Sequence, residues 1–507
     1  MYKHLFFALL VCITSSLCAQ DSIPSFVKDS VDGYVSRALQ QWNIPGVAVC
    51  VVKNGKVVLM KGYGVKEMGT ADKVDENTLF MIGSNSKAFT GTAMAILAEE
   101  KKLSLDDRVT KWLPNFKLEN KLAGEQAIIR DLLCHRLGFE TFQGDFTFYA
   151  TNLNRQQVME TLGRIKATHN FRTTWGYTNA AFCIAGEIIP KATGKTWEEY
   201  VREKIFATLD MKNTLALSVE MLKASNAAKA HTIDEGQLLK IPYDNIDNIA
   251  AAGSISSSVT DMSHWVMMQL ERGKYNGKQV IPANALAQTW LPHSILGNGG
   301  HIFNKGHFSL YGLGWFLEEY CGRKIVSHTG GVTGFVTSVT LVPEEKLGVI
   351  VLTNTDKNSF YEALKWEIVD AYLGNKYRNY SNVYHGYFKA QDKEQQTAIN
   401  TWKDSAVLKL PQPLPIKAYT GTYSNPVYGT MQVVEEAGEL RMKFEHHLDT
   451  YAVLQSLGNN RFYARFTDPL LGKAVFPFTV AAGKVTGVTV KVADFIEYNP
   501  YEFTKIK

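Results

Sequence analysis

The 507-residue sequence has little of what would assign it to several large functional classes. Its 54 basic and 49 acidic residues leave a formal charge of +5, and neither sign forms a long run. That excludes the basic stripe of a nucleic-acid-binding protein and leaves charge silent about other partners. No repeat of solenoid period is present. The six cysteines match no zinc or redox spacing, and the twelve histidines show no ligand spacing, so neither a metal nor another cofactor is expected. The apolar run Leu5 to Ile13 is shorter than the roughly 20 residues a spanning helix needs, and no stable membrane span is expected.

That same run, preceded by Lys3 and followed by small residues up to Ala19, reads as an export signal over residues 1–19. The mature chain is then periplasmic or secreted. Removing the signal takes Cys12 and Cys18 with it. Of the remaining four, Cys50 and Cys183 lie in apolar runs, where a thiol is a small buried hydrophobe rather than half of a disulfide.

What is present is a large apolar fraction, 45% of the chain, enough to bury two or three domain cores. Helical periodicity runs from Phe26 to Trp42. An apolar strand, Gly46 to Val52, follows, then Asn54-Gly55, the signature of a tight hairpin, with its partner at Lys56 to Met60. The middle, roughly 106–272, is mostly helical. Strands return at Lys324 to Ser327, Phe335 to Val342 and Leu347 to Thr353, before a helix at Tyr361 to Tyr372. This predicts one mixed α/β (α+β) domain over 25–375, an antiparallel sheet flanked by helices together with a mostly helical part. Residues 376–415 read as a linker, from polar Gln391 to Asn400 and the Pro411-Gln412-Pro413 run. Residues 416–507 carry short alternating segments between Gly, Asn and Asp turns, and predict a small all-β barrel or sandwich.

Chemistry concentrates in three short motifs. Ser84 and Lys87 stand three residues apart, one helical turn, where an amine can take a serine proton. About two such pairs are expected by chance in a chain this long, and Ser25 with Lys28 is a second. Ser25, beside Pro24 at the start of the mature chain, reads as a helix cap. Ser84 follows an extended apolar approach and opens a long helix whose positive end suits a developing oxyanion; by its own sequence it is equally an N-cap. Tyr177-Thr178-Asn179 precedes another apolar helix, and its phenol is either a cleft residue or a packing tyrosine. Ser327-His328-Thr329-Gly330-Gly331 ends a strand with glycines that let a substrate lie against its edge and leave an N–H for an oxyanion hole.

In this order the three motifs resemble those of the serine β-lactamase-like and penicillin-binding-protein-like hydrolase superfamily. Leu132 to Gly138, Ala252 to Ser258 and, for the accessory domain that follows such hydrolases, Asp494 to Tyr498 add to the likeness. The resemblance implies a serine hydrolase with Ser84 as nucleophile and Lys87 and Tyr177 as proton carriers, the primary base being open between them. Asn179, His328, Thr329, Gly330 and Gly331 would bind substrate, with Ser84 and Gly331 N–H groups as the oxyanion hole. The partner implied is a small-molecule acyl substrate. Many β-lactamases carry Lys where this chain has His328, and a mostly neutral imidazole lacks a permanent anion anchor. Esters, amides or D-peptides are therefore expected ahead of β-lactams. The alternatives are transfer of the acyl group to a hydroxyl of a bulky apolar acceptor, which the aromatic stretch Phe139 to Tyr149 would favour if it faces the site, a β-lactamase or DD-carboxypeptidase, and a penicillin-binding-like sensor.

Overall fold

In the computed structural model, residues 23–304, 306–436 and 438–506 are described; the expected signal lies outside them. An eight-stranded antiparallel sheet forms the first layer. In chain order its strands are β1 (Gly46–Lys53), β2 (Lys56–Gly64), β3 (Ser294–Gly297), β4 (Ser309–Tyr311), β5 (Phe316–Tyr320), β6 (Arg323–Val332), β7 (Phe335–Val342) and β8 (Leu347–Thr353). They lie side by side as β2-β1-β8-β7-β6-β5-β4-β3. The β1–β2 turn has Asn54 at φ 52° and Gly55 at φ 71°, the left-handed pair that a type I′ turn demands.

Helices cover both faces, which is why β1 from Gly46 to Val52 and β8 from Leu347 to Leu352 run apolar without alternation. Val47, Val49 and Val51 pack with α1 (Val31–Trp42) and with the helix that follows β8, Phe360–Leu373. Ala48, Cys50 and Val52 face the opposite side, toward α2 (Ser86–Glu99), α3 (Asn179–Thr193) and α4 (Val259–Leu270). In the same numbering the Phe360–Leu373 helix is α5. Cys50, Cys134 and Cys183 are buried free thiols, and Cys321 is an exposed one.

The stretch read as a linker contains instead a 28-residue helix, α6 (Tyr380–Val407). Its Gln, Lys and Glu residues are polar, like a linker's, but they are also strong helix formers, as is Ala, and no proline interrupts them. Tyr380 is buried against the sheet domain, while Ala406 and Trp402 pack on Leu457 and Tyr463 of the following domain. That domain is a closed antiparallel barrel of eight strands, β9 (Gly421–Asn425) through β16 (Tyr501–Lys505). Of the two all-β forms expected, the barrel is the one adopted.

Candidate active site

Every residue from Thr78 to Leu97 is buried except Ser84. The short strand Phe80–Met81 delivers the chain to a single 3-10 turn, Gly83–Asn85, which leads into α2. Gly83 sits at φ +53°, and a Cβ there would lie 2.9 Å from the Gly331 nitrogen. A Cβ at Gly330 would meet the Ile82 carbonyl oxygen at 1.8 Å. Glycine at both positions lets the serine-bearing turn lie directly on β6. Gly330 was expected to make room for substrate; it makes room for this turn. Ser25 and Lys28, by contrast, are both exposed, and Ser25 makes no side-chain capping bond.

Lys87 is fully buried beneath Ser84. Its Nζ lies 3.0 Å from Ser84 Oγ, 2.7 Å from Asn179 Oδ1 and 2.9 Å from the Ala252 carbonyl oxygen. The last two can only accept, because Asn179 Nδ2 donates to Asp145 at 2.5 Å. A neutral amine would spend both hydrogens on them and turn its lone pair to the serine hydroxyl. Burial brings the Lys87 pKa down to about 7, with the Asp145 charge opposing, so the neutral form is available near neutral pH.

The Tyr177 ring lies 4.6 Å from Lys87 Nζ. Its buried hydroxyl makes no formed hydrogen bond. Burial pushes its pKa far up, offset in part by the neighbouring Ser84 hydroxyl; the phenol keeps its proton. His135 accepts the Thr178 N–H at 3.0 Å and packs 4.4 Å from the Tyr177 ring, fixing this motif from below.

His328 is buried, with Nδ1 2.6 Å from the Thr329 carbonyl oxygen and Nε2 2.9 Å from the Tyr311 hydroxyl. A carbonyl cannot donate, so Nδ1 bears the proton and Nε2 accepts from Tyr311. Burial, then the Lys87 charge, drops its pKa to about 3. The imidazole is neutral throughout the physiological range. Replacing it by lysine sets a second buried cation against Lys87. The expected result for His328→Lys is a lower melting temperature and a shift of the Lys87 titration to lower pH, read by thermal unfolding and a pH–rate profile.

Sequence reasoning missed a chain of contacts that begins in the barrel. Glu497 accepts the Gly144 N–H at 2.8 Å, the Phe146 N–H at 3.0 Å and the Tyr501 hydroxyl at 2.8 Å. Between those two amides lies Asp145, which holds Asn179, which holds Lys87. Phe146 stacks 4.8 Å from His447 and 5.1 Å from Tyr428, both on the barrel. Burial raises the pKa of Glu497 to about 7 and moves that of Asp145 well upward, where the Glu497 charge adds to the effect.

These residues surround a cavity of about 520 Å³. Ser84, Tyr177, Asn179, His328, Thr329 and Gly331 all line it, with Lys87 just beneath. Of the expected site residues, Gly330 and the buried Lys87 do not line it. Of the aromatic stretch, Phe142 and Tyr149 reach the cavity, while Phe139, Phe146 and Phe148 are core. Trp175 and Phe316 complete the aromatic wall, and Asp494, Phe495, Ile496 and Tyr498 of the barrel form its roof. A Cβ at Gly331 would touch the Phe495 ring at 3.2 Å. Among the described residues no group of three or more His, Cys, Asp and Glu side chains is arranged to hold a metal ion.

The chain is similar to known proteins over both of its domains. Residues 406–505 match a family model described as a domain of unknown function (DUF3471). The unguisins hydrolase ungD′ of Aspergillus campestris is 28% identical over 419 residues, covering 79% of this chain and 76% of that protein. Protein flp of Staphylococcus aureus strain MW2 is 26% identical over 371 residues, 70% of this chain and 71% of the relative. Among solved structures, the octameric penicillin-binding protein homologue from Pyrococcus abyssi has a TM-score of 0.59 at 19% identity, covering 94% of this chain and 99% of the other. A D-stereospecific amidohydrolase from Streptomyces sp. has a TM-score of 0.54 at 19% identity, covering 68% and 99%. Both show the shared fold. The family model described as Beta-lactamase matches residues 31–373, and with the serine, lysine, tyrosine and glycine-rich strand assembled as above, the chain belongs to the Beta-lactamase family.

Proposed function

We propose that the protein is a serine hydrolase that cleaves esters or amides, D-peptides included, through an acyl-Ser84 intermediate. The observation that carries this reading is the three-way fixing of Lys87, whose two obligate acceptors leave its lone pair for Ser84. Ser84 passes its proton to Lys87 as Oγ bonds to the substrate carbonyl carbon. The oxyanion is held by the Ser84 and Gly331 N–H groups, each such donor contributing about 3 kcal/mol of transition-state stabilisation. As the carbonyl's bond to the leaving group breaks, the leaving group takes a proton from Lys87 relayed by the Tyr177 hydroxyl. Water then repeats the sequence on the acyl-enzyme and frees Ser84. Lys87 rather than Tyr177 is the base, since burial favours the neutral form of both and only the neutral amine accepts a proton.

The neutral, buried His328 supplies no permanent cation for a carboxylate, which ranks β-lactams and DD-carboxypeptidase substrates below neutral esters and amides. The aromatic walls and the Phe495 roof favour a second reading, transfer to a bulky apolar alcohol, because their apolar lining suits an acceptor that would compete with water for the acyl group. A sensor that is acylated without release stands last. The proposed location is outside the cytoplasm, on the strength of the N-terminal segment.

Product analysis with a panel of esters, D-peptides and β-lactams, each with and without an added alcohol, tests the reading. Hydrolysis of neutral substrates is the expected result; ester products formed only with alcohol would make transfer the main activity. The pH dependence follows from Lys87. Its neutral form is the reactive one, so kcat/KM on a neutral ester is expected to rise through about pH 7 and level off above it, falling tenfold per unit below. A profile flat from pH 5 to 9 would remove Lys87 as base.

A further inference from the structure

A second cavity, of about 800 Å³, runs along the seam between the sheet domain and the barrel. Tyr149 lines both this cavity and the one over Ser84. Thr333, on the wall of the second, is two residues beyond Gly331 on the wall of the first, a separation of about 7 Å along extended chain. The two spaces are neighbouring chambers with a tyrosine between them.

Two carboxylates face the second chamber from opposite domains, Asp244 from the sheet domain and Asp468 from the barrel. Asp244 accepts from the Thr333 hydroxyl. The Tyr149 hydroxyl, which takes the Thr333 N–H at 3.2 Å, is 3.1 Å from the Thr333 oxygen. Because Thr333 spends its proton on Asp244, Tyr149 donates to Thr333, and the relay ends on the carboxylate as acceptor. Asp468 accepts the Leu470 N–H at 2.9 Å. Neither aspartate forms an ion pair among the described residues.

The other titratable groups of the chamber do not neutralise them. Lys240 is tied to Glu67 at 2.5 Å. His447 accepts from Tyr428 and gives its Nε2 proton to the Tyr149 carbonyl at 3.1 Å, and burial keeps it neutral with a pKa of about 3. His446 lies against Asn152 with its pKa also lowered by burial, and Asp449 is a further acid, exposed at the rim. Burial first, and then the Asp468 and Asp356 charges, push Asp244 up to about 7. Leu239, Ile241, Tyr243 and Leu471 supply apolar wall around them.

We infer that this chamber receives a protonated amino group carried on an apolar chain at one end of the substrate, remote from the bond that Ser84 attacks. An ammonium has donors for both carboxylates, and its methylene stem suits the apolar wall. The inference rests on the proposed acyl-Ser84 chemistry for its setting. It adds a substrate class: acyl compounds with a distal primary amine.

Two ester pairs test it, one with the amine on the acyl side (6-aminohexanoyl against heptanoyl) and one with it on the alcohol side (6-aminohexyl against heptyl). In one pair the amine is expected to raise kcat/KM about tenfold over its neutral isostere. Asp244→Asn and Asp468→Asn, which keep the acceptors for Thr333 and Leu470, are expected to erase that advantage and leave the neutral ester unchanged. Calorimetry with hexylammonium and hexanol gives a readout free of turnover: binding of the amine alone, lost in both variants, supports the chamber. Equal turnover of amine and neutral esters, or no binding of hexylammonium by the wild type, overturns it while leaving the hydrolase reading intact. Absence of all ester turnover, with hexylammonium still bound, would sink the hydrolase reading and keep the cation site.

Discussion

Ser84→Ala is expected to abolish covalent labelling by a fluorophosphonate or activated ester and to lower kcat by about 10⁴-fold or more, with the melting temperature almost unchanged. The size follows from the behaviour of nucleophile and base as a unit, in which loss of either member removes nearly all of the covalent route. Stability is spared because Ser84 is the one position between Thr78 and Leu97 that is not buried. Lys87→Ala should match the loss of rate but not the stability, since it empties a fully buried site and orphans the Asn179 and Ala252 acceptors. Mass spectrometry of the labelled protein gives the first result and thermal unfolding the second. Label that survives in Ser84→Ala would remove this serine from the mechanism.

The second large effect is expected far from the nucleophile in sequence, at Glu497. Glu497→Ala leaves the amides of Gly144 and Phe146 without their buried acceptor, a cost of about 1–3 kcal/mol for each. The released turn carries Asp145, and through Asn179 it is the support of Lys87. Misplacement of a catalytic group by about 1 Å is enough for a roughly 10²-fold fall in kcat. Glu497→Gln separates this from a purely structural role. It keeps an acceptor for one amide but removes the negative charge that adds to burial in raising the Asp145 pKa. Asp145 then ionises more readily and, because its charge favours the Lys87 cation, the rising limb of the pH profile is expected to move to higher pH. An unmoved limb in Glu497→Gln, with full activity, would reduce the contact to packing.

How far the sequence alone reached differs from one feature to the next for physical reasons. The strands around Asn54-Gly55 and the apolar run Leu347 to Thr353 were legible because turn chemistry and burial leave local marks. The Ser84 turn was legible only through its neighbours, since Ser25 and Lys28 have the same spacing and a different environment. That the linker segment is the helix α6 was not legible from its polarity, which linkers and solvent-facing helices share; the difference lies in propensity. The Glu497 contact joins residues 353 positions apart, and no periodicity or spacing encodes such a pairing. Asp145 carries no motif either; burial and Asn179 give it its role. The purpose of Gly330 was legible as a need for a missing side chain, but not which backbone would fill the space.

Helix α6, about 42 Å long at 1.5 Å per residue, is anchored at one end on the sheet domain and at the other on the barrel. A stiff tether of this kind holds the Phe495 and Glu497 loop at the catalytic cleft with an effective concentration that a freely diffusing barrel would match only in the millimolar range. Occupancy of the roof is thus independent of how much protein is present. A chain cut within the helix would make catalysis a second-order process, dependent on the dose of its missing half.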